Sequence, residues 1–92
     1  MIERQIEKRL REEIKKLGGR SYKFVSPGND GVPDRIVVKN GKVWFVELKT
    51  VSGQVSPIQA VQLARLREVG ADARVLHGWD EARAFVEEVS RA

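Results

Sequence analysis

Asp34, Glu47 and Lys49 are the residues whose types and spacing could hold a divalent cation. They lie in Val-Pro-Asp-Arg-Ile-Val-Val (32–38) and Val-Trp-Phe-Val-Glu-Leu-Lys-Thr (43–50), two apolar runs joined by Asn40-Gly41. An Asn-Gly pair between β-like runs signals a hairpin, because both central residues of a type I′ turn need positive φ. With Asn40 and Gly41 as the two turn residues, Lys39 faces Lys42, Val38 faces Val43, Val37 faces Trp44, Ile36 faces Phe45 and Arg35 faces Val46. The next pair is Asp34 with Glu47. Two acids directly opposite each other destabilise an antiparallel ladder unless a positive charge joins them. Lys49 lies two residues beyond Glu47 and therefore points to the same face. Two carboxylates and one ammonium on one face read as a divalent-metal site.

The rest of the composition narrows the metal. There is no cysteine and only one histidine, so thiolate sites, disulfides and His-rich zinc centres are excluded. Oxygen ligands remain, and these favour magnesium or manganese. With no suitable cysteine or histidine pair, covalent catalysis is not expected. Ninety-two residues predict one domain over 1–92 with a thin core. A net charge of +4 suits a polyanionic partner; it also suits a merely solvated surface, and charge alone does not separate the two. No apolar stretch reaches the length of a membrane span and the N-terminus has no signal-peptide core, so no membrane partner and a cytoplasmic location, in a bacterial or virus-infected host cell, are expected.

The elements that must position these residues follow from periodicity. Ile2, Ile6, Leu10, Ile14 and Leu17 form one stripe, predicting a helix over 2–17 that Gly18-Gly19 ends. Residues 21–25 read as a short strand, 26–33 as a turn-rich loop, and 35–39 with 42–50 as the hairpin. Ile36, Val38, Val43 and Phe45 share the face of Asp34 and Glu47, while Val37, Trp44, Val46 and Leu48 occupy the other. A sheet apolar on both faces needs helices on both. Ser56-Pro57 starts a second helix running to Gly70, with Ile58, Val61, Gln62, Leu63, Leu66 and Val69 along it, and Trp44 is expected in the core facing that helix. Residues 73–76 form a strand that the crossover places parallel in the same sheet. Asp80 is expected to cap a last helix with Ala82, Phe85, Val86 and Val89 inward. The order is αβββαβα, an α/β class with a mixed sheet flanked by helices.

Pro33-Asp34, a gap, then Glu47-Leu48-Lys49 resembles the signature of the PD-(D/E)xK nuclease superfamily. Gly31-Val-Pro-Asp34, the Asn-Gly hairpin, Glu47-Leu-Lys-Thr50, Ser56-Pro-Ile-Gln59 and the Leu66–Gly70 helix end resemble the VRR-NUC family in order and spacing. The likeness is to its small, stand-alone, virus-type members. It implies a restriction-endonuclease-like core and a Mg²⁺- or Mn²⁺-dependent phosphodiesterase acting on DNA, with branched or four-way-junction substrates. Asp34 and Glu47 match the metal-binding carboxylates and Leu48 the position whose backbone carbonyl completes the metal shell. Lys49 matches the catalytic lysine, Gln59 the glutamine that approaches the site, and Glu7 an acid on the first helix of related nucleases.

Some of these residues have a second reading. Gln59 is also the N3 member of a capping box with Ser56. Glu7 could instead pair with Arg4 or Arg11 on an exposed helix face. The cations of the first helix and the following segment could be a phosphate track or a solvated surface. Within that region Lys23, Ser26 and Asn29 are the candidates for DNA contact, since they lie nearest the site in sequence. A thin core and a small footprint suggest a homodimer. A non-catalytic DNA-binding subunit that keeps the nuclease fold is the competing function.

Overall fold

In the computed structural model, which describes residues 1–92, Asn40 and Gly41 turn the chain with φ of 52° and 80°. The two strands that they join, β2 (Arg35–Lys39) and β3 (Lys42–Lys49), pair in the register set by the turn, from Lys39 with Lys42 to Arg35 with Val46. Before them come α1 (Glu3–Lys16) and β1 (Arg20–Lys23); after them come α2 (Pro57–Glu68), β4 (Asp72–His77) and α3 (Gly78–Ser90). The sheet order is β1-β2-β3-β4, antiparallel except for β4, which the α2 crossover brings parallel to β3. The fold is α/β in the expected αβββαβα order, and no helix is long and apolar enough to cross a membrane.

One face of the sheet carries the core. Val37, Trp44, Val46, Leu48 and Leu76 pack against Ile6, Leu10 and Ile14 of α1 and Ala82, Phe85, Val86 and Val89 of α3. Trp44 therefore faces α1 and α3, not α2 as expected from the sequence; its ring meets Phe85 edge-on, with centroids 5.9 Å apart. Alternation shows which side chains share a face but not which helix covers it. The α2 face is thinner. Leu63 is the one buried residue of α2, and Ile58, Val61 and Val69, part of the apolar pattern that marked this helix, are exposed. Ile2 is also exposed, because it stands at the N-cap of α1 rather than within it.

The start of α3 also departs from expectation. The helix begins at Gly78, so Asp80 lies in its first turn rather than at its cap. Glu81 reaches back instead and accepts the His77 backbone N–H at 2.8 Å. At α2 the local signal holds: Ser56 Oγ accepts the Gln59 N–H at 3.3 Å and Gln59 Oε1 accepts the Ser56 N–H at 2.9 Å.

Candidate active site

The β1–β2 ladder is extended by a bond from the Phe24 N–H to the Asp34 carbonyl, 2.8 Å. The β2–β3 ladder, in contrast, ends at Arg35 and Val46. Two steps further in the same register, past Asp34 and Glu47, Leu48 would face Pro33, which has no N–H to give. Asp34 takes over that edge: its Oδ1 accepts the Leu48 N–H at 3.2 Å. The N–H and C=O of one extended residue point to the same strand edge. The Leu48 carbonyl thus faces the Asp34 side, where the ladder supplies it no donor from Pro33.

Glu47 is 4% exposed, on the α2 side of the sheet. Its Oε2 accepts from Gln59 Nε2 at 3.2 Å and lies 3.6 Å from Lys49 Nζ. Gln59 thus serves both of its readings at once, with its oxygen capping α2 and its nitrogen holding Glu47. Asp34 Oδ2 and Glu47 Oε1 accept no hydrogen bond from the protein. The site therefore offers two free carboxylate oxygens and one main-chain carbonyl.

Both acids are held in a poor environment for negative charge. Burial pushes Asp34 up to about 6, against the Leu48 N–H, which pulls it down; Glu3 and Glu7 push further and Arg35 opposes them. Burial also pushes Glu47 up to about 7, and the Asp34 charge adds to it, while Lys49 pulls the other way. Their mutual repulsion acts on whichever of the two ionises second, so the protons leave the pair in two separated steps. A bound cation would relieve this repulsion. No three acidic or histidine side chains are grouped closely enough to cage a metal by themselves. The donor set suits a hard ion that binds through one or two carboxylates and retains water, as magnesium does.

Glu7 has neither of its expected exposed partners. It binds Arg35, Nη1 to Oε1 3.1 Å, and Arg35 is 3% exposed with Nε and Nη2 on Ser21 Oγ at 3.3 and 3.1 Å. This cluster ties α1, β1 and β2 together beside Asp34. Arg35 and Ser21 were not singled out by the sequence reading, since an arginine in a strand ordinarily signals a solvated face. Glu3, one turn before Glu7, was also missed; its charge acts on both Asp34 and Glu47.

The loop preceding Asp34 is a folded unit. Asn29 donates from its N–H to the Ser26 carbonyl at 3.0 Å and from Nδ2 to Ser26 Oγ at 2.9 Å, so these two residues shape a turn. Gln62 Nε2 holds the Asp30 carbonyl at 3.1 Å and docks the loop on α2. Lys23 is exposed at the end of β1, near the ladder bond to Asp34.

Comparison with known proteins places this geometry. No protein-family model matches the chain. The chain is 48% identical over 79 residues to "Putative nuclease p44" of Acyrthosiphon pisum secondary endosymbiont phage 1, covering 85% of each protein. Among solved structures, a VRR_NUC domain superposes with a TM-score of 0.85 at 30% identity, over 92% of this chain and 94% of that one. A second VRR_NUC domain protein gives 0.80 at 17% identity over 99% and 89%. Hjc, a Holliday junction resolvase of the archaeal hyperthermophile Archaeoglobus fulgidus, shares the fold with a TM-score of 0.60 at 22% identity, over 80% of this chain and 66% of that chain.

Proposed function

The chain belongs to the VRR-NUC family of nuclease domains, and on that premise we propose that it is a Mg²⁺- or Mn²⁺-dependent DNA endonuclease. The observation that carries this reading is the pairing of a half-buried Asp34 and a buried Glu47, two mutually repelling carboxylates, with Lys49 on one end of the sheet. Asp34 Oδ2, Glu47 Oε1 and the Leu48 carbonyl would hold the metal. When bound, such an ion lowers the pKa of its water and withdraws charge from the phosphoryl oxygens.

The chain's own residues do the remaining work. Gln59 fixes the orientation of Glu47 from the first turn of α2. Lys49 is half-buried and within 3.6 Å of Glu47. From there its ammonium orients the attacking water and offsets charge that builds on the phosphate. Glu7 acts through Arg35, as a positioning residue that braces α1 against the strand carrying Asp34. Lys23, Ser26 and Asn29 lie on the approach to Asp34, where a DNA backbone would pass. A homodimer would place two such sites on one symmetric body and address two strands of a four-way junction. The exposed Val43, Ile58 and Val61 supply apolar surface for such a contact.

The test is cleavage of labelled single-stranded, duplex, flap and four-way DNAs in magnesium, manganese or chelator, with Lys49→Ala alongside. Cleavage that needs metal and is lost in the variant is expected. A variant as active as the parent refutes the site. A sizing measurement on the same sample decides the dimer.

A further inference from the structure

The ends of α1 and the edge strand β1 leave a cleft of about 180 Å³ lined by Arg11, Lys15, Gly19, Arg20, Ser21 and Tyr22. Half of these residues are cationic and none is acidic. Ion pairs engage Lys16, Arg35, Lys49 and Arg74, but Arg11, Lys15 and Arg20 pair with no acid. Converging cations without a counter-charge raise the local potential and concentrate anions. The cleft wall is polar as well. Ser21 Oγ accepts twice from Arg35, which fills its lone pairs and leaves its O–H to donate elsewhere.

The cleft also has a fixed relation to the catalytic end of the sheet. Tyr22 pairs with Ile36, two residues from Asp34, and Arg20 pairs with Val38, four residues away. At about 3.3 Å per strand residue these lie roughly 7 and 13 Å along the strand from the level of Asp34. That span corresponds to about two to four nucleotide steps at 3.4 Å of rise. By register Tyr22 also shares the face of Ile36 and Phe45, and it is 58% exposed, so its ring can lie against a sugar or base on the path between cleft and site.

We infer that the α1–β1 cleft is a phosphate-binding subsite that grips the DNA backbone on one side of the scissile bond, a proposal that rests on the nuclease reading above. Its contacts are made by side chains alone and do not need the metal. The grip is one-sided because the cleft lies at the β1 edge of the sheet.

The experiment measures DNA binding in chelator across a salt series for three proteins. These are the parent, the triple variant Arg11→Ala/Lys15→Ala/Arg20→Ala, and the control Arg65→Ala/Arg83→Ala/Arg91→Ala, which removes the same charge from exposed positions elsewhere. The slope of log K against log salt falls by about 2–3 in the cleft variant, since each lost duplex phosphate contact is worth about 0.9. In the control it falls by less than one. Substrates are then trimmed to fewer than four nucleotides from either side of the mapped cut. Trimming one side removes the parent's advantage over the cleft variant, and trimming the other leaves it. Equal slopes for the two triple variants, or an advantage indifferent to trimming, overturn the subsite. If the parent cuts DNA and the cleft variant keeps its slope, the subsite alone falls; if the parent neither binds nor cuts, the nuclease reading falls with it.

Discussion

Replacing Glu47 with glutamine should stabilise the metal-free protein, and the gain should depend on pH. Glu47 is raised from 4.5 to about 7, chiefly by burial and by the Asp34 charge. A carboxyl whose folded pKa lies above its unfolded value contributes stability that is complete below about 4.5 and lost as pH rises through about 7. Ionising it in the folded protein at pH 8 costs about 3 kcal/mol, at 1.36 kcal/mol per pH unit. At pH 5 the same cost is below about 1 kcal/mol, because the folded group is still protonated. Glutamine removes the charge and keeps the shape, and its amide can still meet Gln59. The pairing with Lys49 at 3.6 Å is already counted in that cost, since Lys49 pulls the Glu47 value down. Glu47→Gln should therefore gain about 3 kcal/mol at pH 8, raising Tm by roughly 12–24 °C for a chain of this size, and less than about 1 kcal/mol at pH 5. Thermal melts in chelator at the two pH values measure this. Magnesium at pH 8 should raise the Tm of the parent and not of the variant. A variant that is less stable at pH 8 than the parent would show that Glu47 is a structural partner of Lys49, and the argument from a strained pair of acids would fail.

Three further outcomes are expected. Gly31→Ala places a Cβ 2.8 Å from the Ile58 carbonyl at a φ of +87°, so it should cost about 1–3 kcal/mol in a urea melt and lower cleavage by loosening the loop that carries Asp34. Arg35→Ala leaves the half-exposed Glu7 and Ser21 without their charged partner and should cost about 2–3 kcal/mol, whereas a neutral effect on the melt would remove the bracing role of Glu7. Gln59→Glu keeps an oxygen acceptor at the N3 position that caps α2 but sets a third carboxylate beside Asp34 and Glu47; stability in magnesium should hold while the alkaline-rising limb of the pH–rate profile moves upward, and an unmoved limb would mean that Gln59 only caps.

The parts of this molecule that were legible in its sequence are those fixed by neighbours along the chain. Asn40-Gly41 sets the hairpin register, and that register alone puts Asp34 at the end of β2 beside the Glu47 strand. The Ser56–Gln59 capping box is equally local, and both of its hydrogen bonds form. What stayed hidden depends on residues far apart. Arg35 finds Glu7 at 28 residues and Ser21 at 14, and no pattern within β2 distinguishes a buried, satisfied arginine from a solvated one. The side of the sheet covered by each helix is set by how α1, α2 and α3 cross it, so the placement of Trp44 could not follow from alternation. Asp80 has the chemistry of a cap, but Glu81 reaches the His77 N–H first. The side chains that hold Glu47 show both cases: Lys49 follows from strand periodicity, and Gln59 reaches it only because α2 packs on that face.

Anomalous diffraction from crystals soaked in manganese tests the central claim most directly. The account predicts a peak held by Asp34, Glu47 and the Leu48 carbonyl, and its loss in Asp34→Asn. No peak between the two carboxylates, at a manganese concentration that supports cleavage, would contradict it.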